Sequence, residues 1–416
     1  MPTANTTGLS STDWLCLSFL EGIGPSRLSR LCTYLGQLNQ PPSLSLKHHS
    51  DSLSLFDDST SADTITYDLL IALKWPPITA RQAMAYLSDG SLTKEQETKR
   101  DDTLMWLAES HHHLVRQEDD TYPEALKEIG VAPAFLYVKG QCDVLALPKI
   151  GIVGARKCTR HGRDATFQFA EQLSSRGICV VSGGAMGVDT AAHQGALHSK
   201  TTPTIAVMGT GLQHVYPNHN RGLFEDILAQ GGALISEYPL TTSPRPHLFP
   251  PRNRIISGLS MGVLVAEASI KSGSLISASY AIQQNREVFA MPGRLTDPQS
   301  EGCHQLLRQG ATLVRHVDDI LAECSPSLAA YDRDKTDQDK TSSVTTSLHA
   351  SYHALPESSS SDAKALAILM EKDGAPMDFD ALIRQSNLDA GIMMQVLMEL
   401  ELSGCVENRE GLYSRI

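Results

Sequence analysis

Seven short apolar runs, most of them closed by glycine and followed by a helical pattern, constrain this chain more than any other feature. They are "KIGIVG", "GICVVSG", "PTIAVMG", "ALISE", "MGVLVAEA", "EVFAMPG" and "ATLVR", spread over residues 149–315. A run that is apolar at nearly every position has no wet face, so it reads as a strand buried on both sides. Strands of that kind alternating with helices predict an α/β fold, a doubly wound and mostly parallel Rossmann-like sheet. Such sheets bind ligands in the crevice beyond the carboxyl ends of the strands. The glycines, serines and arginines that could serve a site fall in that place.

The rest of the chain separates on composition. Residues 1–100 read as a helical domain. "STDWLCLSFLEGIGPSRLSRLCTYLG" carries apolar positions at helical spacing, and a Ser/Pro/His/Asp stretch over 39–64 reads as a long loop. Residues 101–324 hold the sheet. Residues 325–361, rich in Ser, Thr and Asp, lack the apolar content for a core and read as a disordered linker. Residues 362–416 give three short helices and then "CVEN" and "LYSR" about a Glu-Gly turn, the outline of a winged-helix module. Its expected recognition helix, "DAGIMMQVLMELELSG", has no Lys or Arg. A duplex reader needs basic contacts to phosphate, so protein contact is the preferred role.

The net charge is −12 over 416 residues, which argues against a surface coated for nucleic acid but leaves room for a local basic pocket. Eight cysteines without a CxxC pair read as free thiols of a reducing compartment. The first twenty residues lack a basic, apolar leader, and no run approaches the ~20 apolar residues of a membrane span. A cytoplasmic location, with no membrane partner, is expected.

Five strand-end loops carry the candidate chemistry. "GIVGARKCTRHG" places Arg156, Lys157, Thr159, Arg160 and Arg163 where a helix begins, an arrangement suited to an anion. It is not the G-x-G-x-x-G dinucleotide fingerprint. "SGGAMGVDTAAHQGAL" supplies Ser182, Gly183 and further glycines that let backbone N–H groups approach a ligand. In it, Asp189 and His193 stand four apart, as a catalytic pair or, more commonly, a helix-fixing contact. "MGTGLQHVYPNHN" offers Asn218, and Tyr216 either to stack on a base or to pack in a Tyr-Pro turn. "FPPRNRIISGLS" sets Arg252, Asn253 and Arg254 among apolar neighbours, a costly place for a cation unless an anion meets it. "EASIKSGSLISA" brings Lys271, Ser272, Gly273 and Ser274 to a helix start, either as a phosphate cradle or as an N-cap. Five such loops facing one crevice are hard to explain by packing alone. Glu237 and Glu267 also lie at strand ends, where either could pair with Arg252 or Arg254.

These stretches, with "LISEYP", "VFAMPG" and "EGCHQLLRQGA", resemble in sequence and order the DNA-processing protein A (DprA/Smf) family. The likeness covers about residues 110–325, and more loosely the helical start (SAM-like in the family) and the winged-helix end. It implies a non-catalytic protein of natural transformation that binds and protects incoming single-stranded DNA and loads the RecA recombinase onto it. By resemblance, DNA contacts fall on Arg156, Arg252, Arg254 and Lys271 to Ser274. The segment "GCHQLLRQGATLV", with His304 and Leu313, resembles the family's dimerisation edge and implies a homodimer. No cofactor and no metal are implied. Departures are Gln213, where an acidic residue is common, and Asn218, where some relatives carry Lys. "GIGPSRL" also looks like a helix-hairpin-helix turn, with a plain helix connection as its other reading. The alternative function is a nucleotide-phosphate glycosidase-like enzyme using the same Gly/Ser-rich pocket. That enzyme class has a PGGxGTxxE motif where this chain has "KSGSLISAS", so its catalytic Glu is missing from its place.

Overall fold

The protein was analysed as a computed structural model, which describes residues 9–38, 65–325, 328, 360–373, 377–386, 388–403, 405–409 and 412–415. Contacts divide the chain into two compact units, residues 1–335 and 336–416. The expected loop over 39–64 and nearly all of the expected linker at 325–361 lie outside the described residues.

In the first unit, helices α1 (Ser11–Ser18), α2 (Pro25–Leu38), α3 (Tyr67–Ala72), α4 (Pro77–Asp89) and α5 (Lys94–Leu107) precede the sheet. Ser10 caps α1 in a reciprocal box with Asp13, satisfying N–H groups that a helix start leaves open. Trp14, Leu17, Leu31, Trp75 and Trp106 form one apolar core with Phe135 and Tyr137 of the sheet. The helical segment is thus packed onto the next, and α5 runs through residue 100, where composition set a boundary. In "GIGPSRL", Arg27 donates to the carbonyls of Gly22 (2.7 Å) and Lys74 (3.0 Å), so this guanidinium serves a helix connection.

The sheet has nine strands. β1 (His112–Arg116) and β2 (Phe135–Gly140), joined through a one-turn helix α6 (Glu124–Lys127), are antiparallel. The other strands are parallel: β3 (Lys149–Val153), β4 (Cys179–Ser182), β5 (Ile205–Val207), β6 (Ala233–Ser236), β7 (Gly262–Val265), β8 (Glu287–Ala290) and β9 (Thr312–Leu313). Their order is β1-β2-β6-β5-β4-β3-β7-β8-β9. The chain winds from β3 to β6 in one direction, then returns to the other side of β3 with β7. The switch point therefore lies between β3 and β7, where such sheets open a crevice.

Residues alternate between two apolar layers. Ile150, Ile152, Val180 and Leu264 face α7 (Arg160–Ser175) and α8 (Val188–Ser199), against Phe169, Leu173 and Ala192. Val153, Val181, Val263 and Val265 face the opposite layer, with Ile255, Ile256 and Leu259 of α10 (Phe249–Leu259) and Ala278 and Ala281 of α11 (Ser274–Gln283). Period two with both faces dry is the physical origin of the continuous apolar runs. Helices α9 (Arg221–Ala229), α12 (Glu301–Arg308) and α13 (317–325) complete the layers. All eight cysteines are free thiols.

The second unit contains α14 (Ser361–Asp373), β10 (Met377–Asp378), α15 (Phe379–Ser386), α16 (Ala390–Leu402), β11 (Val406–Arg409) and β12 (Leu412–Arg415). Three helices and a sheet ordered β10-β12-β11 enclose Leu366, Met370, Leu382, Met393, Leu397 and Leu400, a winged-helix architecture. Strand β10 was absent from the sequence reading. At two residues it is too short to leave a periodic signal.

Candidate functional site

A cleft of about 270 Å³ opens at the switch point. The loop after β3 contributes Gly154 and Arg156 to its wall. The start of α10 contributes Phe249, Arg252 and Asn253, and the start of α11 contributes Ser272, Gly273 and Ser274. Pro250 and Pro251 occupy the first turn of α10, where a missing N–H costs least, and they fix the direction in which the helix leaves the cleft.

Arg252 and Arg254, two residues apart on this helix, point to different places. Arg252 is 5% exposed and reaches across the ends of β4 and β5. Its Nη1 donates to the Gly183 carbonyl at 2.8 Å and to the Val207 carbonyl, and its Nε donates to Asn253 Oδ1 at 3.2 Å. Burial pulls its pKa down to about 10, with Asp189 opposing the shift, so the group is cationic at neutral pH. Asp189 is itself buried, and burial raises its pKa against the pull of Arg252 and the Ala185 N–H. Gly183 stands where these two groups converge. A Cβ there would lie 2.6 Å from Arg252 Nη2 and 2.7 Å from Asp189 Oδ2, so only glycine permits the approach.

The expectation that Arg254 also faces the crevice is corrected by the structure. Its guanidinium makes a bidentate pair with Glu237, Nη1–Oε1 2.7 Å and Nη2–Oε2 2.6 Å, and Nε donates to the Val131 carbonyl at 2.9 Å. Burial works against its charge, but Glu237 outweighs it and the pKa lies above the ordinary value. A helix turns about 100° per residue, so positions two apart look toward opposite sides. One arginine of "RNR" reaches the cleft and the other anchors α10 from behind.

Thr159 and Ser182 are also engaged inside the fold. Thr159 caps α7, accepting from Gly162 N at 3.0 Å, while its hydroxyl and N–H both donate to Glu267 at 2.7 Å. The anion position expected at this helix start is therefore filled by the chain's own Glu267, which pairs with neither arginine. Ser182 is fully buried and donates to the Ile152 carbonyl at 2.7 Å. Asp189 and His193 do not form a catalytic pair: His193 is buried against Thr204 Oγ1 at 2.9 Å, and burial pulls its pKa down to about 3.

The cleft thus unites Arg156, Arg252, Asn253, Ser272, Gly273 and Ser274, while Gly183 lines the smaller notch beside it. Lys271 and Asn218 are exposed next to its walls and line none of it. Arg156 is the free charge of the site: exposed, without an ion pair among the described residues, and placed 5.6 Å above the centre of the Phe249 ring. Phe249 in turn meets Tyr216 at 5.5 Å, and with Met186 they form a narrow apolar notch beside the polar cleft. At the α11 start the N-cap position is Gly273, the Ser272 and Ser274 hydroxyls bond each other at 2.6 Å, and Ser272 Oγ accepts the Ser274 N–H at 3.3 Å, covering the first N–H of the helix.

Phe249 is a wall of the notch that the sequence does not single out, because an aromatic before two prolines carries no mark that separates packing from binding. Asn220 was missed altogether. It is buried, and its Nδ2 donates to Gly184 O (2.9 Å), Ala185 O (3.2 Å) and Thr190 Oγ1 (2.9 Å), tying the second loop to the third. Gly187, inside the second loop at the start of α8, lets that loop close on the first: its φ is +84°, and a Cβ would lie 2.3 Å from the Ala155 carbonyl. Away from the cleft, His304 is half-buried, 3.1 Å from the Gly293 carbonyl, and Leu313 is 46% exposed on β9, which among the described residues pairs only with β8.

Residues 113–325 match the DNA recombination-mediator protein A family, and residues 350–411 match the DprA winged helix domain. The chain is 45% identical over 205 residues to the DNA processing protein DprA of Streptococcus pneumoniae, a span of 49% of this chain and 72% of that one. It is 41% identical over 251 residues to Protein Smf of Escherichia coli, covering 60% of this chain and 65% of that protein, just under two thirds of its length. The X-ray structure of DprA from Streptococcus pneumoniae superposes with a TM-score of 0.61 at 30% identity, covering 76% of this chain and 98% of that one.

Proposed function

Because the chain belongs to the DNA recombination-mediator protein A family, we propose that it binds incoming single-stranded DNA in natural transformation, protects it, and loads the RecA recombinase onto it. The observation that carries this reading is Arg156. It is an exposed cation, without an ion pair among the described residues, at the mouth of a switch-point cleft whose other walls supply Arg252, Asn253 and the hydroxyls of Ser272 and Ser274. Such a surface suits phosphate. The aromatic pair Tyr216–Phe249 beside it suits an unstacked base, which only a single strand presents freely.

The same geometry speaks against the glycosidase-like alternative. The carboxylates beside the cleft are held by neighbours: Asp189, in its wall, accepts from the Ala185 N–H at 3.2 Å in the field of the buried Arg252, and Glu267 accepts from Thr159. We further propose a homodimer through the edge carrying His304 and Leu313. The winged-helix unit then serves protein contact, since α16 exposes Met394 and Met398 and carries no Lys or Arg. Among the described residues no helix is long and apolar enough to cross a membrane, and we place the protein's action in the cytoplasm.

The test is a gel shift of oligo(dT) at fixed salt with wild type and Arg156→Ala. Loss of one charge-assisted contact to phosphate predicts a fall in affinity of about tenfold or more. Equal affinity of the two proteins counts against the cleft as the binding site. Arg156 is the cleaner probe than Arg252, whose removal would also free two buried carbonyls at the ends of β4 and β5.

A further inference from the structure

On the far side of Arg156 lies a second cleft, of about 350 Å³, between the loop after β3 and the starts of α7 and α8. Lys157, Arg163, Gln194 and His219 line it together with Arg156, and none of its lining residues is Asp or Glu. Lys157 and Arg163 are exposed. In a chain of net charge −12, three cations around one concave surface with no carboxylate in its walls repel one another unless an anion joins them. The nearby carboxylates are engaged elsewhere. Glu267 is turned onto Thr159, and Asp164 lies 3.7 Å from Arg160 on the outer face of α7.

Arg156 belongs to the walls of both clefts. A polyanion crossing the first cleft at Arg156 therefore meets the second without leaving positive potential. We infer that the second cleft holds further phosphates of the same DNA strand, so that the footprint runs past the switch point and across the starts of α7 and α8. The inference rests on the functional reading above and deepens it. It adds Lys157 and Arg163 as phosphate contacts, with Gln194 and His219 as hydrogen-bonding groups beside them. The chemistry recognised is a chain of phosphates, for which a free polyphosphate is the competing source.

The experiment uses the full chain and fluorescence anisotropy with oligo(dT) of about 6 and about 30 nucleotides, within and beyond the span that one such site covers. Wild type is compared with the Lys157→Ala/Arg163→Ala double variant, whose altered side chains are both on the surface. The short oligonucleotide is expected to bind both proteins alike, while the long one loses about fivefold or more on the variant. For two lost phosphate contacts, the slope of log K against log salt for the long oligonucleotide falls in magnitude by about 1.4. A loss that is equal at both lengths, or no change in affinity and slope, overturns the extended footprint and leaves the first cleft standing. Inorganic tripolyphosphate that displaces short and long oligonucleotides equally, through a site lost in the variant, also overturns it in favour of a polyphosphate site. Failure of the wild type to bind either oligonucleotide instead overturns the functional reading itself.

Discussion

Arg252 and Arg254 have the same chemistry, and only their angular position on α10 separates their roles. Arg254 lies in a buried bidentate pair with Glu237, both side chains under a tenth exposed. Removing one member of such a pair leaves an uncompensated buried charge, at a cost of about 3–5 kcal/mol. Arg254→Ala should therefore lower the midpoint of urea unfolding sharply, whereas Arg156→Ala, on the surface, should leave it nearly unchanged. Similar midpoints for the two variants would contradict the division of roles. The sequence showed that the two arginines needed anions but not which anion each would meet. That depended on the long-range approach of Glu237, seventeen residues away along the chain, to the back of the helix. Thr159 and Ser182 were misplaced for the same reason. A hydroxyl in a glycine-rich loop looks available until the carboxylate or carbonyl that claims it is located, here Glu267 and Ile152.

The parallel strands were readable because burial on both faces writes an uninterrupted apolar run, and each of the seven runs contains one strand, β3 to β9. The antiparallel β1 and β2 were not, because "HHLVR" is half wet and "FLYVKG" stands beside a helical segment whose core it shares. The strand–helix alternation put the candidate loops at the carboxyl ends of the strands, but the switch point itself depends on β3 lying beside β7, a long-range order that no local pattern records. Among the described residues, edge strand β9 has a partner strand on one side only and exposes Leu313, an arrangement suited to pairing with a second copy. Leu313→Glu is predicted to shift the mass measured by light scattering from dimer toward monomer while the fold is kept. A wild-type protein that already scatters as a monomer would rule out this edge as an interface.

For the molecule as a whole, charge organises the account. On the proposed function, a net charge of −12 would keep DNA off most of the surface, and the cations around Arg156 would concentrate attraction in one place. Two such pockets in a dimer would hold one strand at two points and raise its effective affinity beyond that of either. Attraction confined in this way is steeply weakened by salt, while the aromatic notch favours unpaired bases. The most direct measurement is the affinity of wild type and Arg156→Ala for a single strand and for its duplex across a series of salt concentrations. The single strand should bind more tightly than the duplex at every salt, with a slope of about −0.7 per phosphate contacted and a weaker slope in the variant. Equal affinity for the two DNA forms, or single-strand binding that neither salt nor the loss of Arg156 changes, would contradict the account.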